Sequence, residues 1–458
     1  MLDWLTISGV RPPLLILVAV LAIVVLRYSS TNFRLDPRRA SFMRFMSLCL
    51  LAVVVLIVSN HMLLFFAAWV SISLLLHQLL MFYPERNRAV LAAHKKFILA
   101  RCSETFLGLA LVLTYYQTGT PFLDQALDQA LLRVSAEQPT LLQHIAALSL
   151  IMAALIKCAQ LPLHGWLIQV VEAPTPVSAL LHAGIINLGG LLLLVTTPVW
   201  SLSAPAVWLL CLVAAVSCCL AALIMATRIS IKVRLAWSTS AQMGLMLLEI
   251  GLGYYDLALL HLIAHSVYKA QAFLSVSEVA YVKQAEARSL PRLVSVFVVF
   301  QLLILVASVA LTGAPKWLPS AMLAMVLTTL WMNLSDWLTR LLISVLVVVS
   351  YSVLIGFAGL LIDNRPLPVL PELIAAAIFN LFAVSYWLIH HTPQYRLSQR
   401  WFITLNAGLY LDEWLTRLVL WLWPSHPIRY YQDRNNVPQR GRPQHKSDDD
   451  CQQSSVGR

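Results

Sequence analysis

The sequence predicts an all-α polytopic membrane protein with about 13 transmembrane helices, at least one of them broken. Of its 458 residues, 59% are hydrophobic and only 12% are charged, whereas about a quarter of the residues of a soluble domain are charged. Apolar runs of about 20 residues, the length that crosses a bilayer, recur along the chain. One of these runs contains lysine, proline and histidine in close succession, which is typical of a helix interrupted at membrane depth.

The thirteen predicted spans lie near 7–26, 42–59, 61–82, 97–116, 143–161, 178–197, 206–226, 236–253, 257–280, 293–311, 317–335, 341–362 and 372–390. Basic residues cluster after the odd-numbered spans: Arg27, Arg34, Arg38, Arg39, Arg44, Arg86, Arg88, Lys95, Lys96, Arg228, Lys232, Arg234, Lys283, Arg288, Arg292, Arg396 and Arg400. Because cytoplasmic loops are enriched in Lys and Arg, this pattern predicts a periplasmic N-terminus and a cytoplasmic C-terminus. The net charge of +11 therefore reports topology, with the lipid bilayer rather than nucleic acid as the partner.

The segments outside the spans are few. Segment 117–142 is polar enough to form an exposed loop or a short surface helix. Segment 407–423 has the pattern of an interfacial amphipathic helix, with a poorly inserted fourteenth span as the alternative. We expect 1–423 to form one transmembrane domain and 424–458 to be a disordered cytoplasmic tail. The seven cysteines lack CxxC spacing, so the sequence predicts neither a disulfide framework nor a zinc site in this chain.

The most informative stretch runs from Lys157 to His182. Lys157 follows the apolar run 148–156, and an ionisable group at that depth normally faces a polar cavity or a partner. Pro162, and then Pro174 and Pro176, are expected to interrupt the helix, which is tolerated only where the freed backbone groups face protein or water. The alternative is a kinked packing helix with a lysine that reaches the interface.

Span nine contains His261, His265 and Lys269. A spacing of four residues places all three on one helical face, with a drift of about 40° per step and a rise of about 12 Å in total. Short hops between groups that change charge are what a proton relay requires. The alternative is three unrelated polar groups at helix contacts.

Two acidic residues could belong to the same path. Glu104 follows Arg101 by three residues, so it could neutralise Arg101 or act as the partner of Lys157 on another helix. Glu249, near the outer end of span eight, is expected either to be solvated or to support the path. The interiors of spans ten to thirteen contain no Asp, Glu, Lys, Arg or His, so an ionic path is confined to the first nine spans or leaves sideways to a partner.

Three motifs resemble those of the antiporter-like membrane subunits of respiratory complex I and of multisubunit sodium/proton antiporters, the subunit-5 branch most closely. They are KCAQLPLHGWL…APTPVSALLHAG, RISIKVRLAWSTSAQMG and HLIAHSVYKAQAFLSVSEV. The resemblance covers roughly residues 40–282 and implies the antiporter-like fold. It implies that Lys157 and Lys269 are relay lysines, that His182, His261 and His265 connect them, and that Glu104 is the acidic group.

The chain also departs from that family. The family's Trp-Glu pair is Trp69-Val70 in this sequence, and the later spans contain no lysine. Together with RWFITLNAGLYLDEWLTRL near the end of the chain, these departures are similar to the membrane subunits of energy-coupled inorganic-carbon pumps. That resemblance implies a bacterial inner-membrane protein and a large zinc-containing partner resembling a carbonic anhydrase, with no cofactor in this chain.

Taken together, the sequence predicts a transport and energy-coupling subunit rather than an enzyme. A flux of protons or of another cation such as Na⁺ would pass Glu104, Lys157, His182, His265 and Lys269 and drive the partner to hydrate CO2 to bicarbonate. The alternatives are a divergent subunit 5 of a proton-pumping quinone oxidoreductase and a subunit of a multisubunit Na⁺/H⁺ antiporter.

Overall fold

A computed structural model describes residues 4–134, 139–276, 290–312, 315–333, 336–360, 362, 364, 369–391 and 394–423. Two predictions fall outside these ranges: the disordered tail 424–458, and the basic residues Lys283 and Arg288. Within the described ranges the chain is built from α-helices and short 3-10 turns.

The helices in chain order are α1 (Arg11–Asn32), α2 (Arg39–Val58), α3 (Met62–Leu80), α4 (Asn87–Thr118), α5 (Leu123–Val134), α6 (Leu141–Lys157), α7 (Gly165–Gln169), α8 (Thr175–Ala183), α9 (Leu188–Val195), α10 (Thr197–Trp200), α11 (Ala204–Ala226), α12 (Ile231–Gly251), α13 (Tyr255–Leu274), α14 (Leu290–Thr312), α15 (Trp317–Asn333), α16 (Trp337–Gly359), α17 (Val369–His391), α18 (Arg396–Asn406) and α19 (Glu413–Leu422). Turns of 3-10 helix occupy Val170–Glu172, Ile185–Asn187 and Gly408–Tyr410.

The all-α polytopic class is confirmed. Each of the thirteen predicted segments coincides with a helix or, for 178–197, with the consecutive helices α8 and α9. Ten of the described helical segments are long and apolar enough to cross a membrane, and α6 and α15 are shorter apolar helices. Helix α12 carries Lys232, Arg234 and Glu249, which reduces its hydropathy. The count of thirteen is thus approximate. Segment 117–142 contains the surface helix α5.

The core lies around α8 and α9. In the span Thr175–Val195, 94% of the most apolar stretch is buried, whereas none of the corresponding stretch of α16 is buried. Helix α12 packs closely against α11 because Gly244 has no side chain: a Cβ there would lie 2.8 Å from the Cys218 nitrogen and 2.9 Å from the Ala214 oxygen. The centre of the bundle is thus protein-packed, and α16 presents its apolar surface outward.

The predicted helix break is present and begins directly after Lys157, where α6 ends. The freed backbone groups find partners on neighbouring helices, as a break at membrane depth requires. The Leu161 N–H donates to Ser217 Oγ at 3.1 Å, and Ser240 Oγ donates to the Ala159 carbonyl at 3.0 Å. Gln160 Nε2 donates to the Cys158 carbonyl at 2.8 Å. Pro162 lies inside this break.

Pro174 lies at an interruption between the 3-10 turn Val170–Glu172 and α8, as predicted, whereas Pro176 does not interrupt a helix, contrary to the prediction. Pro174 is the N-cap of α8 and Pro176 lies in its first turn, where the missing N–H has no helical partner to lose. A further interruption that the prolines did not predict separates α8 from α9 at Gly184, followed by the 3-10 turn Ile185–Asn187. The stretch from α6 to α9 is therefore interrupted three times, after Lys157, at Pro174 and at Gly184.

Two lysines that had been assigned to a basic loop lie inside α4 and are buried. Lys95 is 0% exposed and Lys96 is 5% exposed. Lys95 forms an ion pair with Asp412 at 2.5 Å, so the segment between α18 and α19 lies against α4. Segment 407–423 consists of the 3-10 turn Gly408–Tyr410 and α19. Its placement at a membrane interface stays a prediction.

Candidate cation-relay site

The first group of polar side chains lines a small cavity between α3, α4 and the end of α6. Lys96, Glu104 and Lys157 all face this cavity of about 20 Å³, which we call the Lys157 cavity. A volume of about 10–15 Å³ suffices for one water molecule. Two amines and one carboxylate therefore share a space that a single water could bridge.

Glu104 forms an ion pair with Arg101, whose Nη2 lies 2.7 Å from the carboxylate oxygen Oε1. Arg101 also donates to Ser73 Oγ at 3.1 Å, and Lys96 donates to the same hydroxyl at 3.2 Å. Both alternatives for Glu104 thus describe part of the geometry: it pairs directly with Arg101 and faces the same cavity as Lys157. Ser73 connects the basic groups through one hydroxyl.

Lys157 lies over the indole ring of Trp69, with its Nζ 4.4 Å from the ring centroid. A cation–π contact of this kind stabilises a buried ammonium by about 2 kcal/mol or more. Among the described residues Lys157 has no ion pair within 4 Å, in keeping with valine rather than glutamate at position 70. Trp69 therefore provides the direct contact, and Glu104 provides the nearby negative charge.

The second group surrounds Lys269 on α13, which is 0% exposed. Its Nζ donates to the Leu235 carbonyl at 3.0 Å and to the hydroxyl of Ser238. His182 Nδ1 lies 3.1 Å from Thr239 Oγ1, and that hydroxyl donates to the same Leu235 carbonyl at 2.9 Å. Lys269 and His182 therefore meet on one turn of α12.

Helix α12 links this turn to the break beside Lys157. Ser238 contacts Lys269, Thr239 contacts His182, and Ser240 contacts the Ala159 carbonyl, two residues after Lys157. Consecutive helical residues point about 100° apart, so the three hydroxyls reach three different neighbours. Among the described side chains no hydrogen bond joins Lys157 directly to His182, and α12 provides the connection.

The third group continues outward along α13. His265 is 4% exposed, both of its ring nitrogens lack a partner in the described part of the chain, and its ring centroid lies 6.3 Å from that of His261. His261 Nδ1 lies 3.0 Å from the Glu249 carboxylate and Nε2 lies 2.7 Å from Gln242 Oε1. Glu249 is 1% exposed, so the expectation that it is solvated is wrong and its place beside the histidines is established.

The structure thus brings the predicted residues into two sets joined by α12. Glu104, Arg101 and Lys157 form one set, and the other comprises His182, Lys269, His265, His261 and Glu249. Sequence reasoning missed Lys96, Ser73, Ser238 and Thr239. Ser238 and Thr239 lie inside the quoted motif RISIKVRLAWSTSAQMG, where consecutive hydroxyls in an apolar helix were a usable signal. Lys96 was missed because α4 begins at Asn87, before the predicted span 97–116 begins.

A helical bundle with a broken helix and buried amines is the arrangement expected of an antiporter-like membrane subunit. Comparison with known proteins supports this class. The family profile described as NADH:quinone oxidoreductase/Mrp antiporter, TM matches residues 59–350. The chain therefore belongs to this family. A chain of the Mrp complex from Dietzia sp. shares the fold, with a TM-score of 0.54 at 20% identity over 95% of this chain and 50% of that chain.

Particular relatives narrow the comparison. The probable inorganic carbon transporter subunit DabB of Hydrogenovibrio crunogenus is 42% identical over 95% of this chain and 87% of its own length. DabB2 of Halothiobacillus neapolitanus is 34% identical over 92% of this chain and 80% of its length. NADH-quinone oxidoreductase subunit L of Escherichia coli is 32% identical over 60% of this chain and 45% of its length. The resemblance inferred from the motifs is confirmed, and these relatives are transport and respiratory subunits.

Proposed function

We propose that this chain is the membrane subunit of an energy-coupled inorganic-carbon pump. The observation that carries the proposal is the 42% identity to a probable inorganic carbon transporter subunit along 95% of this chain and 87% of that relative. The match includes the motifs that hold the buried amines. A relative that matches only the middle of the chain would support the family alone.

In this proposal the chain conducts protons or another cation between its two sets of buried groups. Lys157 and Glu104 exchange the cation through the Lys157 cavity, which has room for one bridging water. The hydroxyls of α12 orient the Lys269 amine and the His182 ring, because each donates or accepts a hydrogen bond there. His265 and His261 then extend the path toward Glu249.

The partner in this proposal is a large zinc-containing, carbonic-anhydrase-like subunit, of the DabA kind. Zinc bound there would supply an activated water for the hydration of CO2. In this proposal the zinc ligands belong to the partner; in the described part of this chain no three His, Cys, Asp or Glu side chains lie close enough to hold a metal. We assign the subunit to the bacterial inner membrane, with the N-terminus periplasmic and the C-terminus cytoplasmic.

The test is rescue of growth at ambient CO2 in cells that lack other carbon-concentrating systems. The chain with its partner should restore inorganic-carbon uptake, and Lys157→Ala should reduce it by at least about tenfold because a relay step is lost. Lys232→Ala, which removes a lysine outside the buried sets, is the matched control. Failure of the wild-type chain with its partner to restore growth would contradict the pump, and full rescue by Lys157→Ala would contradict the role of Lys157 in the cation path.

A second candidate is a divergent subunit 5 of a redox-driven proton pump, which the match to subunit L favours. Purification from native membranes separates the candidates. One large zinc protein bound to the chain supports the carbon pump, whereas flavin and iron–sulfur subunits support the redox complex. Several small membrane subunits would instead support a Na⁺/H⁺ antiporter.

A further inference from the structure

A second polar cavity, of about 210 Å³, lies between α7 and the turn that joins α18 to α19. We call it the α19 cavity. Its walls include His164 and Gly165 at the start of α7, Arg228 before α12, and Asp412 before α19. Leu415 and Val419 of α19 are buried in the main core. The cavity is therefore built by a segment that packs firmly against the bundle.

One carboxylate oxygen of Asp412 accepts three hydrogen bonds, whereas the other accepts none from the described residues. Oδ2 accepts from Lys95 Nζ at 2.5 Å, from Gln169 Nε2 at 2.9 Å and from Thr416 Oγ1 at 3.5 Å. Oδ1 is buried and has no hydrogen-bond partner in the described part of the chain. A buried carboxylate oxygen without a partner costs free energy unless water or a cation binds it.

Several other buried polar atoms around this cavity also lack a partner among the described residues: His164 Nδ1, Gln169 Oε1, Arg228 Nε and Trp237 Nε1. Native proteins leave few such groups without water. A cavity of this size has room for several waters, each of which needs two to four polar partners. The space around Asp412 is therefore suited to be hydrated.

Adjacent residues on α7, and adjacent residues on α4, contribute to the α19 cavity site and to the Lys157 cavity. Gly165 faces the α19 cavity, whereas the next residue, Trp166, lines the Lys157 cavity. On α4, Lys95 binds Asp412 and its neighbour Lys96 lines the Lys157 cavity. On both α4 and α7, therefore, one residue belongs to the Asp412 site and the next lines the Lys157 cavity. The Cα atoms of each such pair are about 3.8 Å apart.

We propose that the α19 cavity is the hydrated port through which cations pass between the α19 end of the bundle and the Lys157 cavity. Asp412 is the carboxylate that binds the cation in transit. The proposal rests on the cation conduction of the proposed function and does not depend on inorganic carbon as the driven substrate. Gly165 supports the assignment, because any Cβ there would overlap the Asp412 carboxylate. The backbone thus leaves space for that group.

The experiment compares Asp412→Asn with the double variant Lys95→Met/Asp412→Asn in the purified complex, reconstituted in liposomes containing a pH-sensitive dye. A carboxylate that only neutralises Lys95 becomes dispensable once Lys95 is removed, because the pair is then lost together. A carboxylate that binds the transported cation stays necessary. Glu85→Gln removes a carboxylate that is 61% exposed and lines neither cavity, and is the matched control.

We expect both Asp412 variants to lower proton flux by at least about tenfold, while Glu85→Gln retains the wild-type flux. The double variant should accumulate at the wild-type level, which separates transport from folding. Wild-type flux in the double variant would overturn the proposal and leave Asp412 as the counter-ion of Lys95. Flux that depends on Asp412 in a complex that fails to support carbon uptake would uphold the port and refute the proposed function.

Discussion

At the scale of single residues, the candidate path depends on how few negative groups accompany its amines. Glu104 is the carboxylate that lines the Lys157 cavity, and it already pairs with Arg101. Leaving an ammonium buried without its carboxylate costs about 3–5 kcal/mol. The cation–π contact with Trp69 offsets only part of that cost. The charge on Glu104 therefore matters to every basic group around this cavity.

Glu104→Gln tests this dependence. We expect proton flux through the reconstituted complex to fall by at least about tenfold, because the variant retains the side-chain shape but removes the charge that favours a cation in the cavity. Glu85→Gln, at a carboxylate that is 61% exposed on the surface, should have the wild-type flux. Equal flux in the two variants would show that Glu104 only neutralises Arg101.

The sequence predicted residues more reliably than their partners. Lys157, His182 and Lys269 stood out because ionisable groups are rare in apolar spans. The partners of His261 and Lys269 could not be predicted, because Glu249, Gln242 and Ser238 lie on a different helix. Such contacts depend on how α12 and α13 are rotated about their axes, which hydropathy does not determine.

At the scale of helices, α12 is the element on which both sets depend. It packs against α11 through Gly244, carries the hydroxyls that contact Lys269 and His182, and supplies Ser240 to the break. The break itself was predictable because Pro162 removes a backbone donor. The interruption at Gly184 was not predicted, because no proline marks it.

Gly244→Ala tests the close packing of α12. The added methyl would meet backbone atoms of α11 at 2.8–2.9 Å, so we expect destabilisation by about 1–3 kcal/mol and a lower melting temperature in detergent. Gly356→Ala on α16 is the control, because nothing lies within 4 Å of its added methyl. A melting temperature of Gly244→Ala equal to that of the control would contradict the helix packing described for α11 and α12.

At the scale of the whole molecule, the two sets of candidate relay groups lie in the part of the chain before α14, as the sequence predicted, and Asp412 before α19 is the addition. Helices α14 and α16 have little buried surface, with 11% and 0% of their most apolar stretches buried. Their apolar faces are available to lipid or to another subunit. The chain thus combines a protein-packed half that holds buried charges with an apolar half that does not.

The overall class was predictable because lipid forces backbone polar groups to pair within helices, which makes the spans visible in composition alone. The assignment of Lys95 and Lys96 to a basic loop was wrong because the long α4 carries both lysines inside the bundle. There Lys95 pairs with Asp412 and Lys96 donates to Ser73. Asp412 lies 317 residues after Lys95 in the chain. No local pattern predicts a contact over that separation.

The central claim is that buried amines on α6 and α13 carry cations across this bundle. The most direct measurement is proton uptake by liposomes containing the purified complex, compared among wild type, Lys157→Ala and Lys269→Ala. Each variant should lose at least about tenfold of the uptake while the complex remains assembled. Wild-type uptake in an assembled complex that lacks either amine would contradict the account.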